Sequence, residues 1–331
     1  MTQSVPNAAL PLSALAGSAA APAAGSPEDV FYEPVHPDGI TVLRHHHGAN
    51  LVLQVVPMPQ VIPHERFHGQ RVADLAARMV ADGRLINPPL AVAHKGKYVI
   101  LDGATRFTVF QHLGYPHIIL QVVDLDKQQV ELQTWCHVVR GGQVGQLLQT
   151  LERVPGLALR PQPLDQLQRA ALAPTTPGYL ITADGRGFEL GTIGDSGIES
   201  GTEPGTEPGN WVEVLNRMVD AYGLWGNVDR TVTVDLDLLT TQYPDLAALV
   251  VFPQFTPAMI LEWAVQGRTV PAGITRFIVP GRILRLNAPL AMLAADLSLA
   301  DKRRRLDQLV RAKLADRQVR YYEEPVVLLD E

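Results

Sequence analysis

The chain has 331 residues, a length that suits two domains with connecting material better than one compact unit. With 46% hydrophobic and 19% charged residues it is too apolar for a disordered protein, and a formal net charge of -6 gives no general attraction for nucleic-acid phosphates. A single cysteine, Cys136, excludes an internal disulfide framework and a multi-cysteine zinc site, and no apolar run reaches membrane-spanning length, so a soluble, cytoplasmic protein is expected.

Residues 1–30 are rich in Ala, Pro, Ser and Gly, lack a signal-peptide apolar region and are expected to be a disordered tail. Phe31 to Arg44 reads as irregular or short-stranded, and Asn50 to Val56 as the first firm strand. From Gln70 to Asp82, Val72, Leu75, Ala76, Met79 and Val80 recur at helical spacing, and Gly83 ends the helix. Leu90 to Ala93 and Tyr98 to Leu101 flank His94-Lys95-Gly96-Lys97 and predict a hairpin. Ala104 to Leu113 predicts a short helix closed by Gly114, followed by a strand over Ile118 to Val123. Val130 to Val139 alternates as one strand, with Glu131, Gln133, Trp135 and His137 on one face.

Beyond Arg140 the signals weaken, although Tyr179 to Leu190 reads as a hairpin turning at Asp184-Gly185. Residues 191–210 are expected to be a flexible loop, because they carry the tandem Gly201-Thr-Glu-Pro204 and Gly205-Thr-Glu-Pro208. Trp211 to Tyr222 and Ser298 to Leu314 predict helices, the second with Ser298 and Asp301 as a capping pair, and Leu246 to Phe252 predicts a buried strand. The expected class is α+β. An α+β domain over 31–142 is followed by a connecting segment over 143–210 and a second, mixed α/β domain over 211–331.

The most informative stretch runs from Val61-Ile-Pro-His64-Glu65 through the helix at 70–82 to Asn87-Pro88-Pro89 and Leu101-Asp102-Gly103-Ala104-Thr105-Arg106. Together these residues resemble the ParB/sulfiredoxin superfamily. Within it, the His64-Glu65 pair, Asp102-Gly103, Thr134-Trp135-Cys136-His137 and Pro271-Ala-Gly-Ile-Thr275-Arg276 resemble the free L-serine kinases, over roughly 50–140 and 245–325. The resemblance implies phosphorylation of L-serine to O-phospho-L-serine with ATP or ADP as donor and Mg²⁺ as cofactor. Glu65 is then the catalytic base. Asp102 holds Mg²⁺ or positions the hydroxyl, Gly103, Ala104, Thr105 and Arg106 bind the phosphates, and Trp135, His137, Thr275 and Arg276 line the serine pocket. Thr105 stands where the family often has histidine, which puts one phosphate or substrate contact in doubt.

Three other readings compete. His64-Glu65-Arg66-Phe67-His68 matches the zinc-protease H-E-x-x-H pattern, with His45-His46-His47 nearby, but a stretch between Pro63 and Gly69 is too short for the helix that mechanism needs. Sulfiredoxin chemistry needs a cysteine where Ala104 stands, and Cys136 reads as a buried apolar residue. A ParB-like, nucleotide-switched DNA-binding regulator is the main alternative. Its one dense basic run, Lys302-Arg303-Arg304-Arg305, reads as a solvated helix start, and no nucleic-acid partner is expected.

Overall fold

Alternating apolar residues along the first half assemble a seven-stranded sheet in the computed structural model, which describes residues 30–36, 40–45, 50–67, 69–170, 176–193 and 211–320. Residues 1–29, His46, His47, His68 and the Gly-Thr-Glu-Pro duplication lie outside the described residues. The strand order is β1 (Val30–His36), β2 (Ile40–His45), β3 (Asn50–Pro57), β8 (His117–Val123), β6 (Leu90–His94), β7 (Lys97–Asp102), β4 (Val61–Pro63). Only β6 with β8 and β4 with β7 run parallel among these pairs. The stretch from Phe31, read as irregular or short-stranded, forms the paired strands β1 and β2, which extend the sheet at its edge.

Helices α1 (Gly69–Asp82) and α2 (Ala104–His112) form where expected. Val72 and Met79 are buried on α1, but Val80 is 58% exposed, because one step past Met79 rotates it by ~100° off the buried face. The β6–β7 turn has positive φ at Lys95 (46°) and Gly96 (74°), as a type I′ hairpin requires. The hairpin is buried on both faces. Ala91 and Ile100 join the core beneath α2, while Leu90, Val92, Val99 and Leu101 point to a second core.

That second core belongs to a six-stranded antiparallel sheet. Its order is β11 (Leu157–Pro161), β13 (Gly187–Thr192), β12 (Gly178–Thr182), β15 (Leu246–Val251), β10 (Cys136–Arg140), β14 (Asn227–Thr231). One face packs on α3 (Val144–Glu152) and α5 (Trp211–Trp225) through Leu147, Leu151, Leu215 and Tyr222. The other carries α4 (Leu164–Ala170) and α6 (Leu236–Gln242) through Leu167 and Leu239, and buries Cys136, whose thiol is pushed up to about 11 by burial. The 143–210 segment is thus not a connector. It supplies three strands to this sheet and one helix to each of its faces.

The strand expected over Val130 to Val139 is two strands in two sheets. Glu131–Thr134, β9, pairs with β16 (Thr275–Ile278), whereas β10 pairs with β14 and β15, and Trp135 is the break between them. A boundary at 142 would cut through this arrangement, since β10 is central to the second sheet.

The C-terminal segment serves both cores. Helix α7 (Pro257–Val265), capped by the Thr256 hydroxyl on the Met259 N–H, buries Ile260 and Trp263 against the β6–β7 hairpin side. Beyond it β17 (Ala288–Pro289) pairs with β5 (Arg84–Leu85), and α8 (Leu290–Ala294) and α9 (Leu299–Ala315) add Leu290, Leu293, Leu306 and Val310 to the core beneath β3 and α2. The capping pair holds, with the Ser298 hydroxyl accepting the Asp301 N–H. No helix among the described residues is long and apolar enough to cross a membrane.

The basic run on α9 is solvated only in part: Arg304 and Arg305 are exposed. Lys302 is fully buried, its ammonium donating to Leu293 O at 2.5 Å and to His117 Nδ1 at 3.2 Å, and Arg303 donates to Val55 O. An ammonium only donates, so Nδ1 of His117 is unprotonated. Burial, and then the Lys302 and Arg303 charges, hold the His117 pKa below its usual value. The unfolded chain therefore binds more protons than the folded one between that lowered pKa and about 6.5, and stability rises with pH in that window. Urea unfolding at about pH 7.5 and pH 5.5 is expected to show a loss on acidification that His117→Gln reduces. Equal losses in the two proteins would contradict this.

Candidate active site

The segment after β4 is extended because it pairs with the loop before β16. The Arg66 N–H donates to Val270 O, and the Val270 N–H donates to His64 O, both at 2.9 Å. This ladder aims Glu65 into a cleft of about 610 Å³ between the two sheets, where its Oε2 accepts the Gly273 N–H at 3.0 Å. Glu65, Asp102, Gly103, Ala104, Thr105, Arg106, Trp135, Thr275 and Arg276 all line this cleft. Six arginines and two carboxylates do so, and the cleft is strongly cationic in an acidic chain.

His64 is buried behind Glu65. Its Nδ1 lies 2.5 Å from Ile100 O and its Nε2 2.8 Å from the Thr275 hydroxyl. A carbonyl only accepts, so Nδ1 carries a proton, and in the neutral ring Nε2 then accepts from the Thr275 hydroxyl. The hydroxyl lone pairs of Thr275 are thereby presented to the cleft. Both nitrogens of His64 are engaged within the protein, and the helix an H-E-x-x-H site needs is absent between β4 and α1.

The N-terminus of α2 lines the same cleft as Glu65. Gly103, at φ 90°, is its N-cap without a side-chain cap, so the N–H groups of Ala104, Thr105 and Arg106 begin the helix without intrahelical acceptors. The glycine is required. A Cβ there would lie 2.9 Å from the Arg106 guanidinium, which folds back over the turn. Arg106 donates to Asp102 Oδ2 at 2.8 Å, to Asn87 O at 2.7 Å and to Pro88 O at 3.3 Å. Arg282 closes on the same Asp102 oxygen. The guanidinium of Arg106, expected to fork onto phosphate, is occupied instead in locking the Asn-Pro turn to the helix start.

Trp135, at the break between β9 and β10, donates its N–H to Ile274 O at 2.9 Å, and the Arg276 guanidinium sits over its ring at 4.7 Å. His137 does not line the cleft. The change of sheet at Trp135 buries it in the second core, where Nδ1 lies 2.6 Å from the Tyr222 hydroxyl and Nε2 3.4 Å from Gly273 O. It grips the loop that carries Gly273 rather than facing a substrate. Sequence reasoning passed over Arg71, Arg230, Gly273 and Arg282, all of which line the cleft. Gly273 lay inside the Pro271-to-Arg276 motif, whereas Arg230 belongs to a short polar strand with no local signal.

No protein-family profile matches the chain. It is 27% identical over 287 residues to the ATP-dependent L-serine kinase SbnI of Staphylococcus aureus, spanning 84% of this chain and 97% of that protein. The chain resembles the free serine kinases. Solved structures agree in fold: that of SbnI with a C-terminal truncation, from Staphylococcus aureus, superposes with a TM-score of 0.59 at 24% identity, over 79% of this chain and 96% of the other. A free serine kinase in complex with AMP gives 0.59 at 15% identity, over 73% and 93%.

Proposed function

We propose that this protein transfers the terminal phosphoryl group of ATP or ADP to the hydroxyl of free L-serine, giving O-phospho-L-serine. The observation that carries this reading is the placing of the Glu65 carboxylate and the uncapped N-terminus of α2 on one cationic cleft, in a chain that resembles L-serine kinases along most of its length. The N–H groups of Ala104, Thr105 and Arg106 bind nucleotide phosphates. With Oε2 held by Gly273, Glu65 keeps Oε1 for the serine hydroxyl and takes its proton.

Asp102 suits Mg²⁺ in one respect: both arginine bonds fall on Oδ2, and among the described residues Oδ1 accepts no hydrogen bond. Oδ1 and the phosphate oxygens would hold the ion, which when bound offsets phosphate charge. Thr275 accepts from the serine ammonium, and Arg276, braced on Trp135, meets the α-carboxylate. A cytoplasmic location supplies both substrates.

Incubation of the protein with L-serine, Mg²⁺ and either ATP or ADP, followed by mass spectrometry, is expected to yield phosphoserine. A protein that binds nucleotide yet makes no phosphoserine with either donor would overturn the reading.

A further inference from the structure

Arg230 reaches the cleft from β14, the edge strand of the second sheet, where it pairs with His137 of β10. Arg230 is exposed on this strand, and among the described residues its guanidinium forms no hydrogen bond or ion pair. The guanidinium sits against Gly273, at φ 78°, where a Cβ on that glycine would overlap it. Gly273 in turn donates to Glu65, and its carbonyl faces His137. Glu65 and Arg71 both act on Arg230 electrostatically, yet neither pairs with it. A guanidinium held beside a carboxylate without closing on it keeps its donors for a third, anionic group.

On the reading of the cleft as a serine kinase site, we propose that Arg230 is a catalytic residue that contacts the phosphoryl group in flight between the nucleotide and the serine hydroxyl. In that step the serine Oγ–P bond forms as the bond from the terminal phosphorus to the bridging oxygen breaks. Its electron pair passes to the nucleotide and the hydroxyl proton to Glu65. The phosphoryl must then pass next to Glu65, because its acceptor oxygen is the one Glu65 deprotonates. The guanidinium beside Glu65 is therefore placed at the point of transfer, while the N–H groups of α2 hold the part of the nucleotide that stays behind. Negative charge is greatest on the equatorial phosphoryl oxygens midway, and a planar fork fixed against a glycine meets it without reorganising. A ground-state carboxylate already has Arg276 on the Trp135 side of the cleft.

The test compares wild type, Arg230→Ala and Arg230→Lys in steady-state phosphoserine formation, nucleotide titration and assays with added guanidinium ion. Arg230→Ala is expected to lower kcat by roughly 10³-fold with KM for L-serine and the nucleotide Kd within about threefold of wild type. Millimolar guanidinium then restores part of the rate to Arg230→Ala and none to wild type, and Arg230→Lys stays slow because an ammonium cannot fork. A rise in the serine KM with kcat kept would make Arg230 a carboxylate contact and overturn the proposal. So would a weakened nucleotide Kd that accounts for the whole effect, or wild-type kinetics in both variants. A wild-type protein that makes no phosphoserine sinks the kinase reading and this role with it, whereas an active wild type matched by Arg230→Ala sinks the role alone.

Discussion

Glu65→Gln is expected to lower phosphoserine turnover by 10²- to 10⁴-fold, the order of magnitude of general-base catalysis, while nucleotide affinity changes by about twofold or less. The amide keeps the shape of the side chain, and its carbonyl oxygen still accepts the Gly273 N–H, so the loop behind the cleft is undisturbed. What is lost is the capacity to take a proton. Glu65 also comes from a different segment of the cleft wall than the N–H groups of α2, so removing its charge leaves the phosphate-binding end intact. Single-turnover phosphoserine formation and calorimetric nucleotide titration separate the two quantities. Wild-type turnover in this variant would remove Glu65 from the chemistry.

The complementary result is expected for Arg106→Ala, in which nucleotide Kd rises by roughly 10- to 100-fold. Arg106 ties Asp102 Oδ2 to the carbonyls of Asn87 and Pro88, and it is the group that covers Gly103. Its loss leaves Arg282 as the one remaining arginine on Asp102 and frees the turn that orients the start of α2. The helix N–H groups then meet phosphate from a looser frame, so the effect appears in binding rather than in the rate at saturation. An unchanged Kd would mean that the phosphates bind elsewhere. Circular dichroism of the variant should match the wild type, because α2 itself is held by Phe107 and Phe110 in the core.

Several local features of the fold were legible in the chain because their signals are local. Gly103 at positive φ, the open start of α2 and the Asp184-Gly185 hairpin each depend on a few neighbouring residues whose backbone preferences dominate. The break at Trp135 was not legible. A period of two continues on either side of it, and alternation reports which way a side chain points but not which sheet a strand joins. His137 was misplaced for that reason. Lys302 was misread because a run of four cations on a helix resembles a solvated face, and only the tertiary position of Leu293 O and His117 makes one of them buried. Arg230 sits in Asn227–Thr231, a strand mostly open to solvent, where no apolar pattern or turn residue marks its purpose.

The return of α9 to the first sheet bears on how the chain matures as it leaves the ribosome. Leu306 and Val310 belong to the same core as Leu53 and Val55, and Ala288 of β17 pairs with Leu85 of β5. The amino-terminal sheet therefore emerges and waits, with part of its apolar surface bare, until residues 288–315 have been made. Contacts of such long sequence separation form slowly, and an uncovered sheet is open to aggregation in the interval. The second sheet is less delayed, since its strands lie between 136 and 251. Nascent chains halted before residue 288 should accordingly recruit chaperones or be degraded more readily than full-length ones, with the amino-terminal half as the exposed part.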